Sequence, residues 1–312
     1  MVLADGTAHH WKRGDRVDFP IEPLPVPDTT KHTAGYYLRP GMDWVDLFIG
    51  SEGTLGIITE LTLRLHPLPE AVSAAVCSFP DIQSAVQAVI EVMQFGASVA
   101  RIELLDEVQM DAINRYSKTG YPIAPTLFFE FHGSSERLVS EQAEFVRSIA
   151  EEHGAQGFQW ATRLEDREKL WEARHAAYYA ALALRPGSKG LATDACVPIS
   201  RLADCILETQ EDNRQAPFPA ALVGHVGDGN FHCVYAFNPE DEAELHEAKR
   251  LSERMATRAI AAGGTCTGEH GVGSGKMKYL EAEHGLALEV MRTIKRALDP
   301  DNRLNPDKMV KV

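Results

Sequence analysis

The residues best suited to chemistry lie in two short stretches of the 312-residue chain. The first is "GHVGDGNFH", residues 224–232, with His225 and His232 on either side of Asp228-Gly229. Asp-Gly between apolar runs, here "AALV" and "CVYAF", signals a two-residue hairpin turn. That turn would pair Gly227 with Asn230, Val226 with Phe231 and His225 with His232. Directly opposite residues share a face, with Cβ atoms roughly 5 Å apart. Two imidazoles would converge on one point, which is part of a metal site but not a complete one. The second stretch is "GGTCTGEHGVGSGK", whose many glycines let backbone approach a ligand closely. Glu269 in this loop could complete a two-histidine, one-carboxylate site with open positions. His270 would stand beside it as a candidate base. The plain alternatives are polar residues near a bend and an ordinary glycine-rich loop with exposed charges.

Regular elements must hold these stretches. "VSAAVCSF", "VARIELL" and "TLFFEFHG" read as strands. "DIQSAVQAVIEVMQFG" reads as a helix with Asp81 as N-cap and Gly96 just past its end. "SERLVSEQAEFVRSIAEEHG" is a second helix, and "REKLWEARHAAYYAALAL" a third, stopped by Pro186-Gly187. "DEAELHEAKRLSERMATRAIAAGG" is a long amphipathic fourth. Upstream, "VDFPIEPLPVPDTTKHT" is loop-like, because prolines at 20, 23, 25 and 27 disfavour regular structure. In "GTLGIITELTLRLHPLPE", Ile57, Leu61, Leu63 and Leu65 alternate with Ile58, Glu60, Thr62 and Arg64, as in a half-buried strand. Pro67 and Pro69 end it, and a domain boundary is expected there. The expected class is α+β, with helices covering mainly antiparallel sheet.

Composition narrows the function. The formal net charge of -14 argues against nonspecific nucleic-acid binding. No apolar run is long enough to span a bilayer and no leader pattern opens the sequence, so a cytoplasmic protein is the default expectation. The five cysteines, Cys77, Cys196, Cys205, Cys233 and Cys266, are odd in number and form no CxxC. Buried thiols are expected rather than a disulfide framework or a zinc ribbon.

"GHVGDGNFH", "GTCTGEHGVGSGK" and "LDPDNRLNPDK" together resemble the carboxy-terminal half of the FAD-linked oxidase family, flavoproteins of the vanillyl-alcohol-oxidase type. "GYYLRPGMDWVDLFIGSEGTLGIITELTLRLHPLPE" is similar to the end of that family's flavin-binding domain. "LWEARHAAYYAALALRPGSKGLATDACVPISRL" carries a likeness to the family's cytochrome-type D-lactate dehydrogenases. The family also holds the glycolate oxidase flavin subunit and D-2-hydroxyglutarate dehydrogenase. The resemblance runs in consistent order along nearly the whole chain.

It implies a division into 1–68, the carboxy-terminal portion of an FAD-binding domain, and 69–312, a substrate and metal domain. It implies that His225, His232 and Glu269 bind a divalent metal, zinc or manganese, and that His270 is the catalytic base. Arg174 in "LWEAR" would clamp the carboxylate of a small 2-hydroxy acid, which suits a planar guanidinium. Without the family, Arg174 reads as a surface helix arginine. Lys31, Gly35 and Tyr36, the segment Gly50, Ser51, Glu52, Gly53, Thr54, Leu55 and Gly56, then Thr59 and Asn305, would line FAD. For the glycines of "GSEGTLG" a tight turn before a strand is the plain reading. The implied activity is oxidation of D-lactate to pyruvate, with electrons passed to a cytochrome, a quinone or an electron-transfer flavoprotein. Such a protein would be cytoplasmic or peripheral to the membrane.

The sequence departs from the family in two respects, one of them the proline-rich insert before Lys31. Relatives carry the FAD pyrophosphate loop in an amino-terminal subdomain, whereas "MVLADGTAHH" resembles the middle of the flavin domain. The expectations are a fragment, a split gene product or a misassigned start, weak FAD binding by this chain alone, and a complementing chain or homodimer. The rival readings are a noncatalytic remnant, or a metal-dependent hydrolase with water in the open position. The flavin-type segments would have no purpose in the hydrolase.

Overall fold

The computed structural model describes residues 1–18 and 26–312. Pro20, Pro23 and Pro25 of the loop-like stretch lie outside the described residues. One sheet organises the fold. Its strands are β1 (Ala71–Ser78), β2 (Arg101–Leu105), β3 (Thr126–Gly133), β4 (Gln156–Ala161), β5 (Lys189–Ala192), β6 (Ala195–Cys196), β7 (Ala220–His225) and β8 (Asn230–Phe237). Their order is β4-β1-β3-β2-β7-β8-β5, with β6 also on β8, and every pairing is antiparallel.

Successive side chains of a strand point to opposite faces. Ala75, Cys77, Leu127, Phe129, Phe131, Ile102 and Leu104 meet the helices Ile82–Gln94, Glu136–Glu152, Leu202–Arg214 and Glu242–Ala261 on one face. Ala74, Val76, Phe128, Leu105 and Val223 meet the helices Glu107–Ser117, Leu164–His175 and Ala177–Ala183 on the other. The three strands and three of the four helices expected from the pattern are present. Asp81 caps its helix by accepting from Ser84 N at 2.7 Å. All five cysteines are free and buried. Among the described residues no helix is long and apolar enough to cross a membrane.

Two expectations need correction. "REKLWEARHAAYYAALAL" forms two helices, Leu164–His175 and Ala177–Ala183, with Ala176 ending the first. The alternating stretch from Ile57 to Leu65 is extended but unpaired, apart from one bridge between Ile57 and Val2. A strand exists only through its neighbour's hydrogen bonds, and among the described residues nothing pairs with this one beyond Ile57. Its apolar side chains stand in solvent, with Leu63 72% and Leu65 86% exposed.

A second apolar cluster joins the two ends of the chain. Ala34, Tyr36, Leu38, Leu47, Phe48 and Leu55 pack on Ala256, Cys266, Val272, Leu280, Leu288, Met291, Met309 and Val310. Lys295, 1% exposed, reaches Thr54 O, Leu304 O and Asp299 from within this cluster. These contacts hold the 31–56 segment against the glycine-rich loop.

Candidate active site

Three neighbouring strands supply one face of the site. On β8, Phe231, Cys233 and Tyr235 belong to the first core, so His232 points to the other face. On β7, Leu222 belongs to that core and Val223 to the opposite one, which puts His225 beside His232. On β2, Ile102 and Leu104 take the core face and Glu103 the site face. Glu103 Oε1 lies 2.6 Å from His225 Nδ1.

The expected hairpin register is wrong by two residues. His225 is opposite Asn230, and Val223 is opposite His232. A two-residue type I′ turn needs positive φ at both central residues. Here Val226–Asp228 form a short 3-10 turn and only Gly229 is left-handed, at φ 74°. A Cβ at Gly229 would stand 2.1 Å from Val197 O, so no larger residue fits. A slip of one residue would have sent His232 to the other face, while a slip of two keeps the face. The imidazoles still meet, with ring centroids 5.7 Å apart.

Glu269 comes to them from the glycine-rich loop. Its Oε1 lies 3.3 Å from both His225 Nε2 and His232 Nε2. Ligands on a tetrahedral ion with bonds of about 2.0–2.2 Å stand roughly 3.3–3.6 Å apart. Each histidine is held through its other nitrogen, His225 by Glu103 and His232 by Thr193 O at 3.1 Å. Such outer hydrogen bonds fix ring orientation and tautomer in metal-ligating histidines. Asn230 Oδ1 is buried on the same strand without a hydrogen-bond partner. The donor set therefore fits a zinc or manganese ion. The hydrogen bond to His232, then those from Lys31, hold the Glu269 carboxyl far below the usual range against the effect of burial.

Asp194 organises the loop, and sequence reasoning missed it. Its Oδ2 accepts from Thr267 Oγ1 at 2.7 Å, His270 N at 2.9 Å and Glu269 N at 3.0 Å. Its Oδ1 accepts from Asn230 Nδ2 at 2.8 Å. Burial opposes its charge, but Lys276, His232 and these donors bring its pKa down to about 2. Gly268 is needed for the approach, because a Cβ there would lie 2.6 Å from Asn230 Nδ2. Glu52 holds the far end of the loop by accepting from Val272 N at 2.6 Å and Gly273 N at 2.8 Å. Asp194→Asn is expected to weaken divalent-metal binding about 10–100-fold. Calorimetric titration with zinc or manganese checks this, and an unchanged affinity would remove Asp194 from the role.

The remaining expected site residues are placed as follows. His270 stacks on His232, with centroids 4.8 Å apart and planes within 12°, and its side chain is 44% exposed. Burial of its inner part pushes its pKa down. Arg174 uses Nε and Nη2 to hold Glu103 Oε2, both at 3.0 Å, so it stands behind His225 and braces it through Glu103. Among the described residues its Nη1 has no hydrogen bond. Lys31 Nζ lies 3.0 Å from Glu269 Oε2 and 3.1 Å from Asp228 Oδ2, which brings it to the metal-type cluster. Gly35, Tyr36, Ser51, Thr54, Leu55 and Gly56 are buried, with Tyr36 Oη 2.7 Å from Thr54 Oγ1. Gly50, Gly53, Thr59 and Asn305 are exposed, and Asn305 Nδ2 donates to Glu52 O at 2.6 Å.

Comparison with known proteins identifies the family. A family model described as "FAD linked oxidases, C-terminal domain" matches residues 68–309. The chain is 48% identical over 298 residues to "Probable D-lactate dehydrogenase, mitochondrial" of Danio rerio, covering 94% of this chain and 60% of that protein. It is 45% identical over 271 residues to "D-lactate dehydrogenase [cytochrome], mitochondrial" of Arabidopsis thaliana, covering 86% of this chain and 48% of that one. The chain thus spans 48–60% of the length of these two relatives. The structure of 4-ethylphenol oxidase from Gulosibacter chungangensis superposes with a TM-score of 0.65, covering 88% of this chain and 60% of that one. At 15% identity that likeness concerns the fold alone.

Proposed function

The chain belongs to the FAD-linked oxidases, and on that premise we propose that it is the substrate-holding part of an FAD-dependent D-2-hydroxy-acid dehydrogenase. The substrate proposed is D-lactate and the product pyruvate. The observation that carries this reading is the convergence of His225, His232 and Glu269 with His270 stacked alongside.

In this reading Arg174, oriented by Glu103, uses Nη1 for the substrate carboxylate. His270 takes the hydroxyl proton. Bound FAD would supply the hydride acceptor for the α-carbon, so that the acid would lose one proton to His270 and one hydride to the flavin. His225, His232 and Glu269 would hold zinc or manganese, whose positive charge eases loss of the hydroxyl proton. Lys31, Gly35, Tyr36, residues 50–56, Thr59 and Asn305 are proposed to approach FAD from 1–68, the flavin-domain portion. Residues 69–312 form the substrate domain. The electron acceptor proposed for such a flavin is a cytochrome, a quinone or an electron-transfer flavoprotein. The compartment follows that acceptor: the sequence suggests cytoplasm or the membrane periphery, and both relatives are named as mitochondrial.

The exposed edge at Leu61, Leu63 and Leu65 supports a partner strand. We assign it to further flavin-domain sequence, in a longer polypeptide, a complementing chain or a second copy. The metal assignment is tested by His232→Ala, which is expected to lose one bound metal equivalent by elemental analysis. A metal content equal to the parent's would show that this site is wrong.

A further inference from the structure

A second group of ligand-type side chains takes no part in the proposed reaction. His32, Glu283 and His284 offer ligand atoms within 4.8 Å of one another. Their side chains are 14%, 2% and 3% exposed. Glu283 Oε1 lies 3.5 Å from His32 Nε2 and 3.9 Å from His284 Nε2. Glu283 Oε1 and His32 Nε2 are buried, and their contact with each other is this long one, with no closer hydrogen bond to either atom. At 3.5 Å that contact is long for a hydrogen bond, so it satisfies the two buried atoms poorly.

The neighbouring groups offer no closer partner. Glu283 Oε2 is occupied, accepting from Cys266 N at 2.9 Å. The Lys276 ammonium is committed to Asp194, with Nζ 3.2 Å from Asp194 O and 3.7 Å from Oδ2. The Cys266 thiol is buried against the same carboxylate, and burial first and the Glu283 charge second push its pKa up. A cation between His32 and Glu283 would satisfy both atoms more fully than this long contact does. Their 3.5 Å separation matches two ligands sharing a tetrahedral ion with bonds of about 2.0–2.2 Å.

We propose that His32, Glu283 and His284 bind a second divalent ion with a structural role. Two imidazoles and a carboxylate with a thiol alongside suit zinc. The ion would pin the segment carrying Lys31 to the helix Leu280–His284. His284 Nε2 lies 2.6 Å from Ala34 O, so ion binding exchanges that contact for coordination. The site is independent of the reading given to His225, His232 and Glu269.

The test is zinc stoichiometry and thermal melting of the purified chain and of Glu283→Gln, each alone and combined with His232→Ala. Glu283→Gln is expected to lose one zinc equivalent and the chelator-sensitive part of the melting temperature. Its loss should add to that of His232→Ala. Without an ion, the glutamine would be tolerated. Its oxygen still accepts from Cys266 N, and its amide donates toward His32 Nε2. Parent zinc stoichiometry with an equal or higher melting temperature in Glu283→Gln therefore overturns the proposal. Should Glu283→Gln fail to fold, His32→Asn at the less buried position decides. Loss of one zinc equivalent supports the site, and unchanged stoichiometry overturns it. An unchanged His232→Ala would bear on the first site alone.

Discussion

Replacing His270 by alanine is expected to slow turnover by about 10²–10⁴-fold, the usual contribution of a positioned general base. The Michaelis constant should change little, because the carboxylate grip is assigned to Arg174. The argument is geometric. Asp194 fixes the His270 backbone through its N–H at 2.9 Å. The ring is fixed by stacking on His232 at 4.8 Å, yet 44% of the side chain remains open to an incoming acid. Alanine removes the acceptor and leaves Asp194, His225, His232 and Glu269 in place. Rapid mixing of flavin-loaded protein with D-lactate measures the step. A rate of flavin reduction within a fewfold of the parent's would remove His270 as the base. Arg174→Ala should show the opposite pattern, mainly a raised Michaelis constant.

Replacing Lys295 by alanine is expected to destabilise the fold by about 3–5 kcal/mol, the cost of leaving a buried charge without its partner. Lys295 Nζ donates to Asp299 Oδ2 at 2.5 Å, Leu304 O at 2.7 Å and Thr54 O at 2.9 Å. Both side chains are essentially inaccessible to solvent. The substitution leaves Asp299 with only the N–H groups of Arg303 and Leu304, and leaves two carbonyls without this donor. It also opens a gap between the 51–56 segment and the last helix, Ala287–Leu298. Burial opposes the Asp299 charge, but Lys295 and the two N–H groups hold its pKa below the usual range. A carboxylate of this kind contributes stability above the unfolded value of about 4, and that contribution is lost as pH falls through the lowered native value. The variant should therefore lose part of the parent's acid dependence along with its stability. Urea unfolding measures both, and a loss under about 1 kcal/mol would contradict the account, since buried pairs cost several times that when broken.

Much of the fold was legible because local rules agree with the final packing. "DIQSAVQAVIEVMQFG" has its cap, its apolar stripe and its terminal glycine in the sequence. The histidine pair was legible through strand parity, and parity survived a register error of two. Glu103 left a signal that went unused. An acid between Ile102 and Leu104, on a strand buried on both faces, needs a partner. The identity of that partner depends on β2 lying beside β7, and strand order is not written in local sequence. Asp194 was hidden for the same reason: it sits on no periodic stripe, and its partners lie 36 to 76 positions away. The Lys31 ammonium also meets Glu269, 238 positions distant, a tie that no local pattern announces. The stretch from Ile57 to Leu65 has a strand's alternation, but a strand also needs a neighbour.

The central claim is that the His225, His232 and Glu269 face, with His270 beside it, delivers a 2-hydroxy acid to FAD. The most direct measurement is an anaerobic titration of the metal-loaded chain, given FAD and the amino-terminal flavin-domain segment of a full-length relative, with D-lactate. The account predicts loss of the oxidised flavin spectrum in the parent and none in His232→Ala at the same FAD occupancy. Flavin and metal both bound with no reduction by D-lactate or any other D-2-hydroxy acid would contradict it, as would equal reduction in His232→Ala.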